Sequence, residues 1–176
     1  YTADHGELPG EHNVVGHSHN MYDPVLHVPH FIRAPGRLPA GVRVTTPVTL
    51  RDIAATVLEL TGARAADSIP GVSLAAHWRP ASARASSLAL AEVTKGINLE
   101  PWMPIAKGPM KSLVRDRWHY IRNGDGKEEV YDLRVDPAEA NNVVDASEYR
   151  DTVNALRNHV DSLVARRGAR APAFVA

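Results

Sequence analysis

The sequence predicts an α/β fold: the end of a large mixed sheet with its helices, followed by a small antiparallel sheet packed on a C-terminal helix. Three observations carry this expectation. Val28 to Ala34 is a mostly apolar run stopped by Pro35-Gly36, as a buried strand is stopped by its exit turn. Met110 to Arg122 alternates apolar and polar residues, the period of half-buried antiparallel strands. Val153, Leu156, Val160, Leu163 and Val164 then recur at helical spacing within 147–167.

Taken in order, Tyr1-Thr2-Ala3 reads as the last residues of a strand and Asp4-His5-Gly6-Glu7 as the turn leaving it. Neighbouring side chains on a strand point to opposite faces, so Asp4 and His5 converge on one ion only where the strand has ended. Gly6 supplies the backbone freedom for that turn. A carboxylate and a neutral imidazole are both ligands for divalent cations, and open α/β sheets collect ligands at the carboxyl ends of strands. Six of the nine histidines fall between His5 and His30, among Asp4, Glu7, Glu11 and Asp23, a density that surface loops do not need. His17, directly after Gly16, is placed to donate to an anionic oxygen or to act as a general acid. His12 and His19 read as loop hydrogen-bonding residues, and His27 and His30 as partly buried packing residues beside the apolar run.

Thr49 opens a helix with Asp52 in capping-box position, apolar residues at Leu50, Ile53, Ala54, Val57 and Leu58, and Gly62 ending it at C′. Residues 63–70 read as a loop and 87–93 as a strand. Residues 95–109, with several Gly and Pro, read as a long irregular connection in which Trp102 is a packing anchor and Lys107 a solvated lysine. Gly124-Asp125-Gly126-Lys127 marks the turn of a meander that closes with Val130-Tyr131-Asp132-Leu133. Asp136-Pro137-Ala138-Glu139 reads as a helical turn with Asp as cap, Pro at the first position and Glu completing the box. The expected division is residues 1–85, the end of a catalytic α/β domain, and residues 86–176, a smaller α+β subdomain.

Composition narrows the class. A 44% hydrophobic content is that of an ordinary folded domain, and a formal net charge of zero with interspersed signs argues against a nucleic-acid or membrane-surface partner. No apolar run approaches the roughly 20 residues of a membrane span. The absence of cysteine excludes disulfides without fixing the compartment, so periplasmic, secreted and cytoplasmic locations all stay open.

Several blocks together resemble a known family. Thr2-Ala3-Asp4-His5-Gly6-Glu7, Gly10-Glu11-His12, Gly16-His17, Met21-Tyr22-Asp23 and Val28 to Gly36 are similar, in order and spacing, to the second half of a sulfatase of the alkaline phosphatase superfamily. Residues 47–58 resemble that family's next helix, and Val130-Tyr131-Asp132-Leu133 through Asn142 its C-terminal signature.

The resemblance implies hydrolysis of a small-molecule or glycan sulfate ester to an alcohol and sulfate. It implies Asp4 and His5 as metal ligands and His17 as the residue contacting the sulfate and the leaving group. Calcium is the implied cation, with manganese or zinc if the enzyme is a phosphoesterase. Glu7, Gly10 and Glu11 match recurrent positions without an assigned role. The family's nucleophile is a formylglycine made from a Cys/Ser-x-Pro-x-Arg motif. This chain has no cysteine, and Ser68-Ile69-Pro70-Gly71-Val72 lacks the arginine. The nucleophile and remaining ligands are therefore expected in a missing N-terminal half, and the chain is expected to be inactive without it. Two other readings stay open: a phosphonate or phosphodiester hydrolase on the same scaffold, and a non-catalytic module that binds a partner or glycan through the loop around Trp102.

Overall fold

A computed structural model describes residues 1–64, 69–78, 88–94 and 99–168. Ser68 and residues 169–176 lie outside these residues. No helix among the described residues is long and apolar enough to cross a membrane.

The N-terminal segment is built from short pieces. Thr2 makes a single antiparallel bridge to His30, and β1 (Leu8–Pro9) pairs with β2 (Val15–Gly16) so that Leu8 lies opposite Gly16. A short helix follows, α1 (Asp23–Leu26), with Pro24 inside its first turn. The run Val28 to Ala34 does not form the buried strand expected of it. Its strand-like pairing among the described residues is limited to that bridge and the reciprocal Tyr1–Phe31 backbone hydrogen bonds, and Phe31 is 67% exposed. Pro29 and Pro35 bring no N–H donor, so the run cannot carry a continuous ladder.

Thr49 caps a 3-10 turn, Leu50–Asp52, which leads into α2 (Ile53–Thr61), and Gly62 ends the helix at φ 73° as its spacing predicts. Asp52 does not close a capping box; its Oδ1 accepts from Val72 N at 2.8 Å. The helix docks through a polar residue. Thr56 is buried, donating to Asp52 O at 2.7 Å and accepting from Leu74 N at 2.8 Å. The predicted apolar stripe instead faces solvent at Leu50 and at Val57, which is 51% exposed.

The second half is an antiparallel meander: β3 (Leu88–Val93), β4 (Met110–Arg115), β5 (Trp118–Arg122) and β6 (Glu128–Asp132), hydrogen-bonded in that order. Register aligns Leu90, Leu113, Tyr120 and Val130 in one row across all four strands. That row meets Val153, Leu156 and Val160 of α3 (Arg150–Gly168), whose 3.6-residue spacing turns one stripe toward the sheet. The opposite face, read from sequence as the polar side of half-buried strands, is covered as well. Met110, Ile121 and Tyr131 pack there against Met21 and Ile105, which closes the N-terminal segment onto the sheet.

The β5–β6 turn is anchored by contact of main chain with main chain. A Cβ on Gly124 would lie 2.2 Å from Gly108 O and 2.3 Å from Pro104 O, so only glycine fits. Beside it, Lys107 is exposed to solvent as expected while also pairing with Asp125 at 3.4 Å, and Trp102 is 57% exposed instead of anchoring the loop.

Candidate functional site

The site is set by how residues 4–7 leave the Thr2 bridge. Gly6 N donates to Val25 O at 2.8 Å, which presses the turn against α1. A Cβ on Gly6 would sit 2.0 Å from the Pro24 carbonyl oxygen. Glycine is therefore required by close approach, and not by the turn angle expected from sequence, since Gly6 is not among the positive-φ glycines.

The β1–β2 ladder does the rest. With Leu8 opposite Gly16, the residues just outside the pair, Glu7 and His17, face each other, and His17 Nδ1 lies 2.7 Å from Glu7 Oε2. The His5 ring stacks on His17 with centroids 3.9 Å apart and planes inclined by 24°. His5 Nδ1 is 2.9 Å from Gly6 O, so a proton on that nitrogen leaves Nε2 with its lone pair free. Asp4 stands at the rim, its side chain 91% exposed, with Oδ1 accepting from His5 N at 3.1 Å and Oδ2 3.8 Å from His5 Nε2.

Of the three residues singled out in sequence, His5 and His17 are thus in contact, and Asp4 adjoins them through His5. Glu7 is the member that sequence reasoning left without a role. Its signal was the register: a two-residue ladder joined by residues 10–14 places residue 7 opposite residue 17. One donor atom each from His5, Glu7 and His17 lies within 4.8 Å of the others. Mixed nitrogen and oxygen donors suit a borderline divalent ion, and the Asp4 carboxylate adds a hard oxygen. The residues present therefore fit part of a cation site.

The other N-terminal histidines are structural. His12 stacks flat on Tyr22 at 3.6 Å and 7°, in place of the loop hydrogen bond expected of it. Tyr22 OH donates to Glu129 Oε2 at 3.1 Å, and burial, reinforced by that carboxylate, pushes the phenol well above its usual range. His27 is exposed and pairs with Asp23 at 3.2 Å, so it is not a packing residue. His30 is partly buried as expected, and desolvation lowers its pKa below the usual imidazole value. His19 Nδ1 is buried without a hydrogen-bond partner among the described residues, so it does not serve as the loop hydrogen bonder expected of it at that atom.

Residues 10–166 match the family described as N-sulphoglucosamine sulphohydrolase, C-terminal, a span that includes His17 and begins after Asp4, His5 and Glu7. Mouse arylsulfatase K is 30% identical over 173 residues, covering 93% of this chain and 29% of that protein. YidJ of Escherichia coli, described as an uncharacterised sulfatase, is 28% identical over 169 residues, covering 93% of this chain and 32% of that protein. The chain thus spans about a third or less of the relatives it matches. Among solved structures, BT4656 in complex with its substrate D-glucosamine-2-N,6-O-disulfate superposes with a TM-score of 0.78 at 23% identity, covering 100% of this chain and 35% of that one. The phosphonate monoester hydrolase of Agrobacterium radiobacter superposes with a TM-score of 0.74 at 24% identity, covering 94% and 34%. At these identities the structural likenesses establish the fold alone.

Proposed function

Because the chain belongs to the N-sulphoglucosamine sulphohydrolase C-terminal family, we propose that it is the C-terminal part of a divalent-metal-dependent sulfatase that hydrolyses a small-molecule or glycan sulfate ester. The observation that carries this reading is the contact of His17 with Glu7 and His5 beside Asp4. Residues 1–85 would belong to the catalytic domain and residues 86–176 to a smaller subdomain.

Asp4 and His5 would hold the cation, calcium being the first choice, with Glu7 within reach of the same position. A bound cation supplies positive charge against the negative charge that develops on a sulfuryl oxygen. Glu7 fixes the orientation of the His17 ring by accepting at Nδ1, which turns Nε2 outward. From there His17 can hydrogen-bond a sulfate oxygen or deliver a proton to the departing alcohol oxygen. The nucleophile, a formylglycine in the family, would come from sequence outside these 176 residues, since the chain has no cysteine to convert. Without it the chain would bind a product-like anion at most.

A second reading has specific support. Sulfate and phosphonate esters both present tetrahedral oxyanions, the fold is shared with a phosphonate monoester hydrolase, and His5 brings a nitrogen ligand that suits manganese or zinc. Parallel turnover of an aryl sulfate and an aryl phosphonate or phosphodiester by the complete protein separates the two. The sulfatase reading expects the sulfate to be the faster substrate and His17→Ala to slow it; faster cleavage of the phosphorus ester overturns it.

A further inference from the structure

Ser112, His119 and Glu139 are fully buried and joined in a line. Ser112 Oγ lies 2.6 Å from His119 Nε2, and His119 Nδ1 is bonded to Glu139 Oε1. The order is that of a hydrolytic triad, but the group is sealed between the sheet and the N-terminal segment, and no substrate reaches the hydroxyl. Its outlet is elsewhere. The second oxygen of Glu139 accepts from Asp23 N at 2.7 Å, across 116 residues of sequence.

That bond serves α1, which begins at Asp23 and whose N-cap, Tyr22, offers no side-chain cap. A helix start leaves backbone donors without partners, and here a remote carboxylate satisfies one of them. α1 in turn accepts Gly6 N at Val25 O and allows no Cβ at Gly6. Gly6 is the residue between His5 and Glu7. Glu139 itself stands at φ 55°, a left-handed conformation that a non-glycine residue keeps only where its surroundings hold it.

We propose that His119 and Glu139 are positioning residues of the candidate site. With a proton on Nδ1, His119 donates to one oxygen of Glu139 and accepts from the Ser112 hydroxyl at Nε2. The carboxylate is thereby fixed so that its other oxygen caps α1, and α1 fixes the backbone between His5 and Glu7. The proposal rests on reading His5, Glu7 and His17 as the site, and its test does not depend on activity.

The test is hydrogen–deuterium exchange in the intact protein, followed in segments 4–9 and 20–27 and in β4 and β5. Glu139→Gln retains an oxygen for Asp23 N and an amide for His119, and is expected to exchange as the wild type does. Glu139→Ala is expected to speed exchange in both N-terminal segments about ten-fold while β4 and β5 keep their protection. Asp23→Pro approaches the same bond from the other side. It deletes the donor, together with the exposed Asp23–His27 pair, at a first helical position where proline is tolerated, after a Tyr22 already extended at φ -72° and ψ 157°. It is expected to match Glu139→Ala, and it decides the matter if that variant does not fold. Segment 4–9 unchanged in Asp23→Pro, or accelerating only in step with β4 and β5, overturns the proposal. A wild type inert toward sulfate esters would instead refute the site reading and leave the exchange result standing.

Discussion

Arg157 of α3 grips Glu128 of β6 through two nitrogens, Nε at 2.9 Å from Oε1 and Nη2 at 2.5 Å from Oε2. The same carboxylate accepts from Tyr120 OH, whose pKa is pushed up to about 12 by burial and by that hydrogen bond. A second tie, Arg122 Nη1 to Asp161 Oδ1 at 2.7 Å, runs alongside. The apolar stripe of α3 would tolerate small slides over the sheet; the forked pair sets its position.

The Arg157 guanidinium, first among the causes, holds the Glu128 carboxyl below its usual pKa. The folded state therefore gains stability above the unfolded glutamate value of about 4.3 and loses it as pH falls through the lower folded value. Arg157→Met should cost about 1 kcal/mol at pH 7, a partly exposed pair being screened by solvent, and much less near pH 3. Urea denaturation of both proteins at the two pH values checks this; an equal gap at both would refute it.

Gly6→Ala places a methyl group against the Pro24 carbonyl, with backbone on both sides and no flexible end to yield. Overpacking of this kind costs about 1–3 kcal/mol. Turnover should fall along with the melting temperature, because the displaced residue lies between His5 and Glu7. Retention of full activity by the folded variant would show that the turn is not held by α1.

Glu7→Ala leaves the His17 ring free to rotate. Turnover of the complete enzyme should fall by about ten-fold or more, the usual loss when the carboxylate orienting a functional histidine is removed. Glu7→Gln, which keeps an acceptor, should recover part of it. Steady-state kinetics with an aryl sulfate decides, and equal activity in all three proteins would remove Glu7 from the site.

Leu156→Ala opens a hole beneath the row formed by Leu113, Tyr120 and Val130. The expected loss is about 2–5 kcal/mol. Because the stripe lies on the face of the sheet away from the site, exchange in segment 4–9 should change only through global unfolding, which makes the variant a control for those above.

The meander was legible in sequence because two local signals agree there, an approximate apolar–polar alternation in β4 and β5 and an Asp-Gly turn between β5 and β6. Its second face was not. Ser112 and His119 occupy polar places in an alternating pattern, which locally means solvent; in the fold they satisfy each other and Glu139 under a segment nearly a hundred residues away. Glu139 failed for the same reason. Three residues after Asp136 it fits a capping box, yet Asp136 accepts from Ala140 N and Asn141 N by itself, and Glu139 turns inward. In the site, residue type and spacing pointed to Asp4, His5 and His17, whereas Glu7 depends on the register of a ladder too short to show periodicity. Val28 to Ala34 and the α2 stripe carry apolar patterns that stay partly in solvent, at Phe31 and Val57 above all, so pattern and burial part company there.

The contact of Gly124 with Gly108 and Pro104 involves only atoms that every residue owns. Such a joint reads no side chain beyond its own glycines, and it fixes where the connection into β4 rejoins the sheet. Residues 99–102, with Trp102 at their outer edge, can consequently be rewritten without disturbing the scaffold, like a blade exchanged in a fixed handle, while Ile105 keeps its place in the core. Diversity of surface chemistry among relatives of this chain is expected to accumulate there, while the two glycines stay.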